Sequence, residues 1–375
     1  MPTPRFHRLT VAGVRPLTSE AVALRLAVPD ALAGAFRFLP GQYVTLRATA
    51  GGEEVRRAYS ISSRAGGGPG DGPGGFEVGI KRVPGGRFSN LARELGAGDA
   101  LEVMAPEGRF VARPGEARRV LLVAAGSGIT PCLSIAATLL HDDPEARVAL
   151  VYGNRDAGSI MFRAELDALK DRYTGRFSLV HVLSGESRGA ALLEGRLSPE
   201  RLAALDAHGL IDIGASDAIY VCGPEAMADG VVAWLAGRGV PDDRVHRERF
   251  VAASAGTAGP GPVDVPAAAP VEAPRDGARA TSGSAVDVVV DGARHRIEVD
   301  GARETVLAAA HRQGLELPFS CAGGMCCTCR CRVVDGAATM DANYSLQGWE
   351  VEAGFTLACQ ARPTSRTLTL DFDVR

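Results

Sequence analysis

Five of the chain's eight cysteines fall within eleven residues, between Cys321 and Cys331. Cys321, Cys326 and Cys329 stand in C-x4-C-x2-C spacing, and Cys359 follows after 29 intervening residues. That pattern belongs to a plant-type 2Fe-2S cluster, with three thiolates from one loop and a fourth from downstream. It constrains the fold around it to a small module built on a tight loop. Ala322, Gly323 and Gly324 let the loop backbone turn its N–H groups toward the cluster sulfurs. The competing readings are structural zinc, which more often uses two C-x2-C pairs, and a set of buried thiols. So dense a run of cysteines is hard to explain as core filling. Cys327 and Cys331 receive no iron from this spacing and read as non-ligand thiols.

At 375 residues the chain calls for two or three domains, and three rhythms are visible. Residues 1–115 carry short β-type runs, VALRLAVP, GQYVTLRA, AYSIS, FEVGIKRV and ALEVM, separated by turn residues; an antiparallel β-barrel is expected. Over 116–250, strands alternate with helical patterns, from VLLVAAG and PCLSIAATLLH to a last strand AIYV, which predicts an α/β domain with a parallel sheet. Residues 251–284 are mostly Ala, Pro, Gly and Ser and read as a tether to a C-terminal module at 285–375. The run RAGGGPGDGPGG at 64–75 mimics a phosphate loop, but it follows no buried strand, opens no helix and lacks the Lys-Ser/Thr of a P-loop. A hairpin insertion is the better reading.

The charge of -3 argues against a general nucleic-acid partner. No apolar run is long enough to span a bilayer, and MPTPRFHRLT lacks the apolar core of a signal peptide, so no membrane partner and a cytoplasmic location are expected.

In RRAYSISS, Arg57 and Tyr59 project from one face of a β-type segment. A cation beside an aromatic ring suits a phosphorylated flavin: Arg57 for the pyrophosphate, Tyr59 along the ring system, Ser60 donating near its reactive nitrogen. Gly85, Gly86, Arg87, Phe88 and Ser89 then open the helical pattern SNLAREL, whose first N–H groups form a second anion site. Alone, an Arg-x-Tyr-Ser strand is more often surface decoration and a Gly-Gly pair only a turn. Their order and spacing together point to a flavin site.

The strand VLLVAAG leads into Gly126, Ser127, Gly128, Ile129, Thr130 and Pro131 and then a helix, a place for a dinucleotide pyrophosphate. Arg155 and Ser159, just past the next strand, offer a guanidinium and a hydroxyl for an adenosine 2′-phosphate, favouring NADPH while leaving NADH open. After AIYV come Cys222, Gly223, Pro224, Glu225, Ala226 and Met227, with Pro224 in the first turn of a helix and Cys222 facing the nicotinamide. The alternative is a buried structural cysteine. Phe250 closes the α/β domain with a ring placed to help cover the flavin.

Taken in order, RAYS with GGRFS, GSGITP with CGPEAM, and CAGGMCCTC with Cys359 resemble the ferredoxin-NADP reductase superfamily fused to a C-terminal plant-type ferredoxin. The resemblance covers nearly the whole chain except the tether. It implies a β-grasp fold of α+β type for 285–375 and FAD as the flavin. It further implies a flavin site of Arg57, Tyr59, Ser60, the strand from Gly79 to Lys81, and Gly86 to Ser89. Tyr59, Ser60 and Cys222 are then the residues closest to the chemistry. Within the superfamily, the segments CCTCR, MDANY and AGFTLACQARPTS are most similar to the reductases of phenylacetyl-CoA epoxidases. The reductases of ketosteroid 9α-hydroxylases share the architecture.

A hydride donor and a one-electron cluster are mismatched, and a flavin bridges them. The expected function is therefore an NADPH-dependent reductase passing single electrons to an oxygenase component. A reductase of another oxygenase, or a redox sensor or carrier without turnover, is the alternative.

Overall fold

The computed structural model describes residues 5–67, 74–187, 189–250 and 283–374. They divide into two compact units, one of residues 6–250 and the other of residues 283–374 with Arg5. The tether read at 251–284 lies almost wholly outside the described residues, as do 68–73 of the glycine-rich insertion.

The larger unit opens with β1 (Phe6–Thr18), β2 (Ala21–Ala27), β3 (Tyr43–Ala50), β4 (Glu53–Ser60), β5 (Gly75–Lys81), the single-turn α1 (Arg87–Leu91) and β6 (Ala100–Met104). All pairings are antiparallel, in the order β4-β3-β6-β1-β2-β5. Ile61 bridges Val78, and the Ser62 N–H donates to the Glu77 carbonyl at 2.8 Å, which joins the end strands and closes a barrel. Leu9, Leu24, Leu46, Val78 and Val103, alternating with polar neighbours, fill its core. The helix expected over SNLAREL begins two residues earlier, at Arg87, and is shorter, because Ala92 to Glu94 continue only as turns.

The α/β half follows with β7 (Arg119–Ala125), α2 (Ile129–Asp142), β8 (Arg147–Asn154), α3 (Arg163–Arg172), β9 (Phe177–Leu183), α4 (Pro199–Ala207), β10 (Ala218–Gly223), α5 (Glu225–Gly237) and β11 (Val245–Arg249). The sheet is parallel, in the order β11-β10-β7-β8-β9, so the loops that follow its strands emerge at one edge. Two expectations are corrected here. AIYV is not the last strand: β11 pairs outside β10, and its half-exposed VHRER has the charged, pattern-free composition of an edge. Pro224 caps α5 from outside, with φ −53° and ψ 139°, and the helix starts at Glu225.

The smaller unit comprises β12 (Ser284–Val290), β13 (Ala293–Val299), α6 (Val306–Arg312), β14 (Arg330–Met340), α7 (Gly348–Glu352), β15 (Phe355–Leu357) and β16 (Ala361–Asp371). Its mixed sheet, β13-β12-β16-β14-β15, packs with α6 around Val286, Val299, Ala309, Leu357 and Leu370, a β-grasp arrangement.

Candidate functional site

In the smaller unit, the loop between α6 and β14 carries Cys321, Cys326 and Cys329, and the turn between β15 and β16 brings up Cys359. The four approach as two pairs. Cys321 and Cys326 interact through their side chains, as do Cys329 and Cys359. Within each pair the hydrogen bond lowers the pKa of one thiol, Cys321 and Cys359, and raises that of its mate. Other donors reinforce this: the backbone N–H groups of Gly323 and Met325 point at the Cys321 sulfur at 3.3 and 3.4 Å, and the Gln360 side-chain amide donates from Nε2 to that of Cys359 at 3.6 Å. Two thiol pairs fit two irons better than they fit one tetrahedral ion.

The loop is held in shape by backbone conformation. Ala322 and Cys327 adopt φ values of 51° and 58°, and Gly324 sits at 77°, where a Cβ would come within 3.1 Å of the Ala342 carbonyl. Cys331 is fully buried on β14, its sulfur near the Thr356 carbonyl, and burial pushes its thiol pKa far up. It faces the core and does not join the pairs. Next to Cys329, the Arg330 guanidinium lies 3.4 Å from the Phe355 ring centroid and pairs at 2.8 Å with Glu350, which is completely buried.

In the larger unit, Arg57 and Tyr59 share one face of β4 beside Leu46 and Val44 of β3, and the Tyr59 ring packs on Phe88 with centroids 5.5 Å apart. Ser60 turns the other way. Its hydroxyl donates to Glu248 Oε2 at 2.9 Å, joining barrel to edge strand β11. Crowding by protein pushes the Glu248 carboxyl up to about 8, against the pull of the Ser60 hydrogen bond. Register sets Glu248 beside Cys222, whose thiol is completely buried and shifted upward by burial first and Glu248 second. The structure thus places Cys222 within the core cluster, against which the half-buried Phe250 packs. Glu248 is the residue that sequence reasoning missed. Nothing around it repeats or alternates; a lone carboxylate in an edge strand, next to the paired Arg247 and Arg249, gives no signal by itself.

The β7–α2 turn is shaped by glycines at Gly126, with φ 55°, and at Gly128, where a Cβ would sit 2.2 Å from the Cys222 carbonyl. A Cβ at Gly126 would be 3.8 Å from Lys81 Nζ, so the end of β5 brings a cation to the first turn before α2. Gly79, farther back on β5, meets Thr130 and Phe162 so closely that an added Cβ would lie 2.7 Å from each. Gly86 caps α1, and Ser89 spends its hydroxyl within the loop, accepting from the Val83 N–H at 3.1 Å. Arg87 instead pairs with Glu53. Gly223 packs against Met227 at the start of α5.

Arg155 is exposed after β8 and donates to Asp156 at 2.9 Å. Ser159 is tied to the same aspartate: its N–H donates to Asp156 Oδ1, and its hydroxyl donates to the Asp156 carbonyl. Both expected 2′-phosphate groups are therefore present in one loop, but each has a protein partner. The donor set across this unit, with a cation and an aromatic ring on β4, a hydroxyl–carboxyl pair, and Lys81 above a glycine turn at a helix start, fits a flat phosphorylated cofactor and a dinucleotide.

The sequence matches three family descriptions: an oxidoreductase FAD-binding domain over residues 9–111, an oxidoreductase NAD-binding domain over 122–233, and a 2Fe-2S iron-sulfur cluster binding domain over 288–364. It is 42% identical over 373 residues to one of the subunits of 1,2-phenylacetyl-CoA epoxidase from Escherichia coli K12, covering 99% of this chain and 98% of that one. To the ferredoxin reductase component of 3-ketosteroid-9-alpha-monooxygenase from Rhodococcus rhodochrous it is 34% identical, covering 97% and 96%. Among solved structures, phthalate dioxygenase reductase has the same fold, with a TM-score of 0.57 at 23% identity and 98% coverage of both chains. No helix of the described residues is long and apolar enough to cross a membrane. The chain belongs to the ferredoxin-NADP reductase-type oxidoreductases that combine FAD-binding, NAD-binding and 2Fe-2S domains as reductase components of multicomponent oxygenases.

Proposed function

We propose that this reductase draws on NADPH and supplies electrons to an oxygenase that epoxidises phenylacetyl-CoA. The observation that carries the reading is the end-to-end 42% identity to the epoxidase polypeptide, against 34% for the ketosteroid relative over similar coverage. A flavin bound here would supply the conversion between a two-electron hydride donor and a one-electron cluster. The chain's residues do the rest. Arg57 neutralises phosphate charge, Tyr59 supports the ring, and the turn from Gly126 to Pro131 with Lys81 receives the nucleotide pyrophosphate. Ser60 Oγ donates its proton to Glu248 Oε2, and burial keeps a second proton on the Glu248 carboxyl up to about pH 8, where it is available near neutral pH. Cys321, Cys326, Cys329 and Cys359 would hold the 2Fe-2S cluster through their four sulfurs. The dense Cys321–Cys331 run, used for a cluster rather than for disulfides, supports a reducing compartment such as the cytoplasm.

The deciding experiment supplies the purified protein with NADPH and either a phenylacetyl-CoA oxygenase or a ketosteroid 9α-hydroxylase. Product from the first is expected. Turnover with the second alone would reassign the partner, and absence of NADPH-driven ferricyanide reduction would favour a sensor without turnover.

A further inference from the structure

Helix α2 begins at the glycine turn assigned to the nucleotide and runs back along the barrel. Four of its residues, Thr130, Ser134, Thr138 and Asp142, are spaced by four, so they form one ridge about 18 Å long. Every member of that ridge meets the flavin half. Thr130 touches Gly79 of β5, as the 2.7 Å approach to an added Cβ shows. Ser134 Oγ donates to the Ser63 carbonyl at 2.7 Å. Thr138 Oγ1 accepts the Ala65 N–H at 3.0 Å, and Asp142 pairs with Arg64 at 3.1 Å.

The two central hydroxyls are buried, Ser134 at 0% and Thr138 at 2% exposure, where apolar side chains would pack as well. Their protons are fully assigned. Thr138 accepts from Ala65 and donates back to the Ser134 carbonyl at 2.7 Å, while Ser134 donates to Ser63. Apolar contact tolerates sliding, whereas a chain of hydrogen bonds holds one register. Ser63 lies three residues after Ser60 and is stapled to β5 as well: the Glu77 N–H donates to its Oγ at 3.0 Å, and Glu77 binds Arg15, which also reaches Glu165 of α3.

We propose that Ser134 and Thr138 are positioning residues, which fix the sliding register between the flavin-bearing strands and the nucleotide helix and thereby set the geometry for hydride transfer without touching either reactant. The inference needs only the reductase half-reaction and is independent of which oxygenase is served. Hydride transfer is steep in distance and angle, so a small slip at this seam reaches the chemistry.

The test uses the full-length, FAD-loaded protein with Thr138→Val, which keeps the shape and removes both hydrogen bonds, and Thr138→Ser, which restores a hydroxyl. Anaerobic flavin reduction at saturating NADPH is expected to slow about tenfold in Thr138→Val, with FAD content and half-saturation by NADPH unchanged. Deuterium exchange at the Ala65 amide should quicken in the same variant, and Thr138→Ser should recover both readouts. A wild-type reduction rate despite faster exchange at Ala65 would overturn the proposal, as would equal slowing in the Ser and Val variants. If Thr138→Val fails to retain FAD, Ser134→Ala decides by the same two measurements: slowing supports positioning, and an unchanged rate rejects it.

Discussion

The cluster thiols all come from one stretch of 39 residues, while Ser60 and Glu248, 188 positions apart, meet only because a barrel and a parallel sheet are packed together. The first site is written into local spacing and held by its own loop, with left-handed residues at Ala322 and Cys327 and N–H groups aimed at sulfur. The second is assembled by tertiary structure, from β4, β5, β10, β11 and the start of α2. A local site should fail alone when its ligands are removed, and an assembled one should feel any change that shifts its walls.

The sharpest contrast comes from the ligands. Replacing any one of Cys321, Cys326, Cys329 or Cys359 with Ala should abolish the visible absorption and iron content of the cluster while FAD remains at full stoichiometry. Cys331→Ala should keep the iron, since its sulfur faces the core. Loss of iron from Cys331→Ala, or retention after loss of one of the four, would redraw the ligand set.

Glu248 tests the assembled site. An unfolded glutamate releases its proton near its ordinary value of 4.5, but the folded one holds it to about 8, so the folded state binds the extra proton between those values. Its contribution to stability is therefore full below pH 4.5 and is lost as pH rises to 8. Glu248→Gln should remove this slope and leave the protein more stable than the wild type at pH 8 by on the order of 3 kcal/mol, less than the full ~1.4 kcal/mol per pKa unit because some surface stays wet. Parallel pH–stability curves for the two proteins would show that Glu248 is charged in the fold.

The same contrast separates what the sequence makes legible from what it does not. The cysteine spacing, the Arg57–Tyr59 alternation and the glycine turn before α2 are patterns within a few residues of each other, and they were legible. The barrel and parallel sheet followed from apolar periodicity. The edge strand β11 was not, because its residues Val245 to Arg249 are all half-buried and three are charged, so neither alternation nor an apolar run marks it. The α2 ridge escaped for a related reason: Ser134 and Thr138 look like neutral helix positions until the Ser63 and Ala65 backbone is seen against them.

Gly79 lies where the two halves touch, so a single methyl there probes the wall itself. Gly79→Ala places its Cβ 2.7 Å from Phe162 and Thr130, and Phe162 already holds a left-handed φ of 58°. The clash should cost about 1–3 kcal/mol of stability and weaken FAD retention. An equivalent methyl at Gly292, which has open space around it but a φ of 73°, should cost less and leave the flavin untouched. Unchanged thermal unfolding and FAD content in Gly79→Ala would show that the seam is softer than the contacts imply.

The smallest effect belongs to the nucleotide loop, where exposure screens every charge. Arg155 is exposed and paired with Asp156, so its attraction for a 2′-phosphate is shared with a carboxylate and screened by water. Arg155→Ala should raise KM for NADPH only a few-fold and leave NADH unchanged. Asp156→Asn sharpens the point: with the carboxylate neutral, the guanidinium turns wholly to the nucleotide, and KM for NADPH should fall at low salt and return toward the wild-type value as ionic strength rises. The substitution also weakens the acceptor for the Ser159 N–H, so NADH serves as the internal control. A parallel change in KM for both nucleotides would assign Asp156 to the shape of the loop; a change confined to NADPH assigns it to the choice between them.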